Sequence, residues 1–336
     1  MPVVTRRTVL RGLGAIAAVA AMPVAPASAA ARKWHPGHYF CPPHTRWSAD
    51  NQAAHFRALD AVGPHVRGIK VGFNWGYLEG ARGDYSPGFR IIDAYLDRLP
   101  PGKYLMLQVN ERSFGDLAAG VHPRYVVDNG WVVTRRAGQT WRGNLATTAK
   151  MWQPAVMDRL IALSHAFAAR YDAHPRFEQF SLGETALGVP GLPTEAWRTQ
   201  LTRWFTESKK VWPATYLRLN ANFINNDAAM RSLITSCVAG GGVTVGGPDP
   251  ELPRPSITRF ITANRVFRGD DGGADLRGTV PWTGEVRALG TRTPREIFDY
   301  FHDIMRASHM IWPHDSAGVL PYVNSIQGRI RMTIGA

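Results

Sequence analysis

The chain has 336 residues, room for one α/β barrel or two ordinary domains, and 45% hydrophobic against 19% charged side chains excludes a disordered polypeptide. Its formal charge of +13 admits an anionic partner, but the arginines are scattered and no nucleic-acid motif is present, so nucleic acid is not expected. Two cysteines, Cys41 and Cys237, do not make a disulfide framework, and without a C-x-x-C or H-E-x-x-H pattern neither a metal nor another cofactor is expected.

The first segment reads as an address. Arg6 and Arg7 form a twin arginine ahead of the small, apolar run 12–21, and Ala27-Ser28-Ala29 supplies a small-x-small cleavage pattern. This resembles a twin-arginine export signal over residues 1–30, so the mature chain, 31–336, is expected outside the cytoplasm, periplasmic or secreted. The apolar run is shorter than the ~20 residues a membrane span needs, so no stable anchor is expected. Loss of Arg6, Arg7 and Arg11 lowers the formal charge to +10, which leaves an anionic glycan admissible as substrate.

Beyond the signal, strands and helices alternate. Residues 38–43 read as a first strand and 51–62 as a helix; 66–75 form the second strand. Phe89, Ile92, Tyr95, Leu96 and Leu99 have helical spacing, ended by Pro100-Pro101-Gly102, and 103–110 is the third strand. A long connection, 111–151, follows; Asn129-Gly130 between β-branched runs predicts a hairpin over 125–133. In the helix 154–171, Val156, Leu160, Leu163, Phe167 and Tyr171 share one face. The fourth strand runs from Arg176 to a glycine and a carboxylate, Gly183-Glu184.

Helices over 197–211, 228–238, 260–267 and 294–307 separate strands at 216–223, 243–249, 278–282 and 309–313. The seventh strand repeats the design of the fourth: an apolar run, a small residue, then Glu285. Eight strands with intervening helices imply parallel crossovers and predict a single-domain (β/α)₈ TIM barrel. A doubly wound open sheet is the second choice, but no G-x-G-x-x-G follows the first strand. With Cys41 on the first strand and Cys237 on a helix of the opposite half, two free buried thiols are expected. The chain is expected to act as a monomer.

In such a barrel, chemistry collects where the strands end. The residues there are Asn74 and Trp75, Asn110 and Glu111, Glu184, Asn222, Asp249, Trp282 and Glu285, and Trp312. Two carboxylates, several amides and tryptophans suit a carbohydrate, because amides hydrogen-bond hydroxyls and aromatic faces stack on C–H surfaces. Glu184 and Glu285 are the candidate catalytic pair; the others are candidate substrate contacts, with Glu111 the rival acid. Glu79 reads as a turn acid, and His35, His38 and His44 fit no metal template.

The segment Phe73-Asn74-Trp75-Gly76-Tyr77-Leu78-Glu79 through Gly83-Asp84-Tyr85 resembles the W-x-x-L-E…G-x-Y segment of retaining barrel glycosidases of clan A, the cellulase and β-galactosidase type. Residues 166–184 resemble the same clan's passage into its fourth strand. The resemblance implies an acid/base at Glu184, a nucleophile at Glu285 and a retaining cleavage of glycosidic bonds. The clan's usual Asn before the acid/base is Gly183 here, and its arginine at the end of the second strand is not evident. Two alternatives stand beside the hydrolase. One is a non-catalytic glycan-binding barrel that uses the tryptophans; the other is a lyase for anionic polysaccharides, which needs a Tyr, His or Lys base beside an arginine.

Overall fold

The computed structural model describes residues 32–42, 48–62, 66–113, 120–136, 145–189, 191–222, 224, 226–247, 262–286 and 293–313. The expected export segment and Asp249 lie outside these residues.

Eight parallel strands close into a barrel in the order β1-β10-β9-β8-β7-β6-β3-β2. They are β1 (Gly37–Cys41), β2 (Gly68–Asn74), β3 (Tyr104–Asn110), β6 (Phe177–Leu182), β7 (Tyr216–Asn220), β8 (Val243–Gly246), β9 (Trp282–Glu285) and β10 (Ala307–Pro313). The crossover helices include α1 (Ala49–Val62), α3 (Ser86–Arg98), α5 (Pro154–Tyr171), α6 (Thr194–Val211), α7 (Asp227–Val238), α8 (Thr262–Arg268) and α9 (Pro294–Asp299). The expected fold class and strand count hold, so β6 is the fourth barrel strand and β9 the seventh.

Alternation along each strand sorts the core into two. Outward residues such as Ile69, Val71 and Phe73 of β2 join the apolar layer under the helices, and a register shift between β3 and β6 lets Phe177 and Phe180 both join it. The predicted face of α5 is wholly buried there. Phe177 stacks on Tyr171 at 5.3 Å and Phe180 on Trp212 at 4.9 Å. Inward residues Tyr39, Cys41, Met106 and Ile311 form a small apolar plug in the lumen. Cys41 and Cys237 are both unbridged, and burial pushes their thiols up to about 11 and about 12.

Three elements depart from the sequence reading. Residues Arg124–Asp128 form a short helix, α4, and Gly130 follows it with φ 66°, a left-handed helix end rather than a hairpin tip. The hairpin lies later, between β4 (Val132–Arg136) and β5 (Leu145–Ala149), paired antiparallel. The seventh strand starts at Trp282 rather than ending there, which makes Glu285 its last residue. The last helix stops at Asp299, continues as a π turn over Tyr300–Ile304, and gives way to β10 at Ala307.

The Trp-x-x-Leu-Glu segment is structural in its contacts. After β2 it forms the one-turn helix α2 (Trp75–Leu78). Glu79, fully buried, accepts from Trp75 Nε1 (2.8 Å), the Gly83 N–H (2.8 Å) and Arg159 Nη2 (2.7 Å). Arg159 Nη2 also donates to the Tyr85 hydroxyl. Glutamate, glycine, tyrosine and indole are thus parts of one lock between α2, the following turn and α5. Replacing Trp75 by Phe keeps an aromatic ring in the core, though a smaller one, and strips Glu79 of a donor where water cannot replace it. A loss of about 1–3 kcal/mol is expected, read as a lower thermal midpoint; an unchanged midpoint would refute the lock.

At the amino-terminal mouth, the segment before β1 seals the lumen. Lys33 Nζ donates to the carbonyls of Asp172 (2.6 Å) and His174 (3.0 Å). Trp34 packs edge-on to His309. His35 stacks on Tyr104 at 3.6 Å, and its backbone N–H (2.8 Å) and Nδ1 (2.6 Å) engage the two oxygens of buried Glu178. His309 Nε2 lies 3.3 Å from the same carboxylate.

Candidate active site

The carboxyl-terminal half of the lumen is polar because the inward positions of successive strands are polar. On β2, Lys70 stands between Ile69 and Val71; on β7, Arg218 stands between Leu217 and Leu219; on β3, Gln108 stands between Leu107 and Val109. All three are buried. They converge on Glu285 at the end of β9. Lys70 Nζ lies 2.9 Å from Glu285 Oε1 and Arg218 Nη2 lies 3.1 Å from Oε2, so each oxygen faces its own cation. Arg218 Nη2 also donates to Gln108 Oε1 (2.9 Å). Burial lowers the Arg218 guanidinium from its ordinary value, and the Glu285 charge opposes that shift. Gln108 Nε2 donates to Asn110 Oδ1 (2.7 Å), and Asn220 Nδ2 donates to Leu182 O (2.6 Å) and weakly to Gln108 Oε1 (3.3 Å).

Glu184 is built differently. It sits two residues beyond β6, is half-buried, and its Oε2 accepts from Asn222 Nδ2 at 2.5 Å. Asn222 is itself fixed: its Oδ1 accepts from the Ala186 N–H and the Thr185 hydroxyl, each at 3.0 Å. An amide holds this acid, whereas two cations hold Glu285. One network nonetheless joins them: from Glu285 through Arg218 and Gln108 to Asn220, whose carbonyl accepts from the Thr185 N–H, and from the Thr185 hydroxyl to Asn222.

Glu111 lies behind Glu184 and is fully buried. Arg112 donates to it through Nε (2.8 Å) and Nη2, and the Gly183 N–H donates to its Oε2 at 3.0 Å. A Cβ at residue 183 would come within 2.8 Å of both Glu111 oxygens. That explains the glycine ahead of the candidate acid: the carboxylate behind it occupies the space a side chain would need. Glu111 is therefore not a ligand contact or a rival acid, because its oxygens are spent on Arg112 and the main chain.

The other expected contacts divide. Asn74 and Asn110 are partners in register at the ends of β2 and β3, next to the network. The three tryptophans do not line the mouth. Trp75, Trp282 and Trp312 are 0%, 1% and 0% exposed and belong to the core between barrel and helices. Trp75 and Trp312 spend their indole N–H groups on Glu79 and on His38 Nδ1 (3.0 Å), and Trp282 packs on Phe267 at 4.6 Å. Their assignment as stacking platforms is corrected: alternation turns Trp282 and Trp312 outward, and α2 turns Trp75 under itself. Among the described residues no group of three or more His, Cys, Asp or Glu is arranged to hold a metal ion.

Lys70, Arg218, Gln108 and Arg112 escaped the sequence reading, which considered only strand ends. For Lys70 and Arg218 the signal was present. A charge between two apolar residues in mid-strand must point into a barrel lumen and find a partner there.

No family model matches the sequence, and no curated protein is significantly similar to it. Solved structures do resemble it in fold. The catalytic domain of a β-amylase from Paenibacillus polymyxa superposes with a TM-score of 0.56 at 9% identity, covering 84% of this chain and 92% of that one. Endo-glycoceramidase II from a Rhodococcus species gives 0.54 at 14% identity, covering 83% and 73%. A further glycoside hydrolase gives 0.50 at 13% identity, covering 83% and 88%. At these identities the likeness is one of architecture: the closed eight-stranded parallel barrel used by glycoside hydrolases.

Proposed function

We propose that this chain is an exported glycoside hydrolase, acting as a monomer on the O-glycosidic bonds of an oligo- or polysaccharide. Glu184 is its acid/base and Glu285 its nucleophile. The observation that carries the reading is two carboxylates at the ends of the fourth and seventh barrel strands, joined by one network and held in unlike surroundings. Glycosidases of this kind need that asymmetry: one group gives a proton while the other presents negative charge to the anomeric carbon.

In the first step an oxygen of Glu285 bonds to the anomeric carbon as its bond to the leaving oxygen breaks, and the Glu184 carboxylic acid protonates that oxygen. In the second, Glu184, now a carboxylate, takes a proton from water as the water oxygen displaces Glu285. Lys70 and Arg218 keep the Glu285 oxygens aimed and receive them when the ester is hydrolysed. The names of the fold neighbours, a β-amylase and an endo-glycoceramidase, support a glycan substrate.

The test is turnover of a panel of aryl glycosides and glycans, with NMR of the first anomer released. Release of the substrate's own anomeric form is expected. The opposite anomer would remove the nucleophile role from Glu285, and no turnover across the panel would sink the hydrolase. Export through a signal in residues 1–30 belongs to the same proposal; the mass of the exported protein should place its first residue near 31.

A lyase for an anionic glycan is the second reading, because Lys70 and Arg218 meet in the lumen as a base and a uronate-neutralising arginine would. Both cations are paired to Glu285, which favours the hydrolase. An unsaturated product absorbing in the ultraviolet would reverse that order. The non-catalytic binding barrel loses its main support with the burial of the three tryptophans.

A further inference from the structure

The main chain carrying the candidate acid is anchored at nearly every polar atom. The Gly183 N–H is held by Glu111 Oε2, the Glu184 carbonyl by Arg112 Nη2, and the Ala186 carbonyl by Arg112 Nη1 (2.5 Å). The Thr185 N–H bonds to Asn220 O (3.0 Å) and the Thr185 carbonyl accepts from Trp197 Nε1 (3.1 Å). Such density of fixed bonds is unusual in a segment outside a strand, where main-chain groups ordinarily face water.

We infer that Glu111 and Arg112 are positioning residues for Glu184, setting the acid's direction through the backbone from behind. This rests on the hydrolase reading above. Arg112 is 1% exposed and Glu111 0%, so neither can touch substrate. Five side-chain bonds given or received by this pair end on residues 183–186 or within the pair itself. A planar guanidinium fits this place because it offers one edge to Glu111 while its remaining N–H groups reach two carbonyls in fixed directions. Lysine would keep the charge and lose those directions. Gly183 completes the device, since only a residue without a side chain lets the Glu111 carboxylate approach the main chain. The clan's asparagine position is thus given over to support of the acid.

A half-ångström misdirection of a general acid weakens proton transfer but leaves the attack on the anomeric carbon intact. Leaving-group dependence reads that difference, and loss of packing does not produce it. Two variants approach the device from opposite sides. Arg112→Lys removes the fork, and Gly183→Ala pushes on the carboxylate without changing any charge. Wild type and both variants are assayed on two glycosides of whichever sugar the aryl-glycoside panel identifies. One carries 2,4-dinitrophenolate, which departs without a proton; the other carries an alkyl alcohol, which needs one.

For both variants kcat/KM is expected to fall about tenfold or more on the alkyl glycoside and less than about twofold on the dinitrophenyl glycoside. Equal loss on both substrates, or no loss on either, overturns the positioning role while leaving the hydrolase reading intact. A wild type inactive on the whole panel overturns that reading and this inference with it. Should Arg112→Lys fail to fold, Gly183→Ala decides alone, because its backbone needs no left-handed conformation.

Discussion

Glu285→Gln is expected to lower kcat by at least about 10³-fold, a loss of about 4 kcal/mol of transition-state stabilisation, with the barrel still folded. The amide is nearly the carboxylate in shape and keeps one oxygen for Lys70 or Arg218, but it carries no negative charge to bond with the anomeric carbon. The lumen suffers too, because two buried cations lose their counter-charge, so a lower thermal midpoint should accompany the kinetic loss. Inactivity alone would therefore be ambiguous. Glu285→Ala with azide removes the ambiguity: a small anion entering the space left by the carboxylate should give a glycosyl azide of inverted anomeric configuration. Glu184→Gln should behave otherwise, losing about 10²–10⁴-fold on glycosides with poor leaving groups. Near-normal turnover by the Glu285→Gln protein, or a rescue product of unchanged configuration, would remove Glu285 from its role.

That pair of acids was legible in the sequence because position along a barrel is a matter of counting. Each unit shows itself by an apolar strand and an amphipathic helix, as 103–110 and the face of α5 do, so the acids after the fourth and seventh strands could be named without coordinates. What surrounds them was not legible in the same way. Lys70 and Arg218 lie 148 positions apart in sequence, and their meeting at Glu285 follows from barrel closure rather than from any local pattern. The tryptophans misled for a related reason. Residue type says that an indole likes a sugar face, but only the strand's alternation and the α2 turn decide which way it points. The Asn129-Gly130 turn failed more locally. Its glycine does adopt positive φ, but to end a helix, which uses the same residue pair as a hairpin tip does. Glu111 and Gly183 were each visible as oddities, an extra acid and a missing asparagine, and the structure makes them one feature.

The acid limb of stability should be set at the opposite end of the barrel from the chemistry. Burial alone would raise the Glu178 carboxyl, but hydrogen bonds from His309 and His35 outweigh it and hold the group at about 2, against an ordinary 4.5. A carboxyl depressed in the folded state contributes stability that is complete above about 4.5 and lost as pH falls towards 2. At about 1.4 kcal/mol per pH unit, the contribution is about 3 kcal/mol near neutrality. Its location makes it consequential. Glu178 holds both the backbone N–H and the ring of His35, so its protonation frees the segment that covers the amino-terminal mouth. Urea unfolding of the protein between pH 7 and 2.5 should show wild type and Glu178→Gln separated by up to about 3 kcal/mol at pH 7, the curves drawing together below about pH 4. Lys33 should stay in place longer, because it is bound to main-chain carbonyls that do not titrate. Curves that ran parallel over the whole range would mean that Glu178 is not the group whose protonation weakens the fold, and the seal would then depend on the stacking of Trp34 and His35 instead.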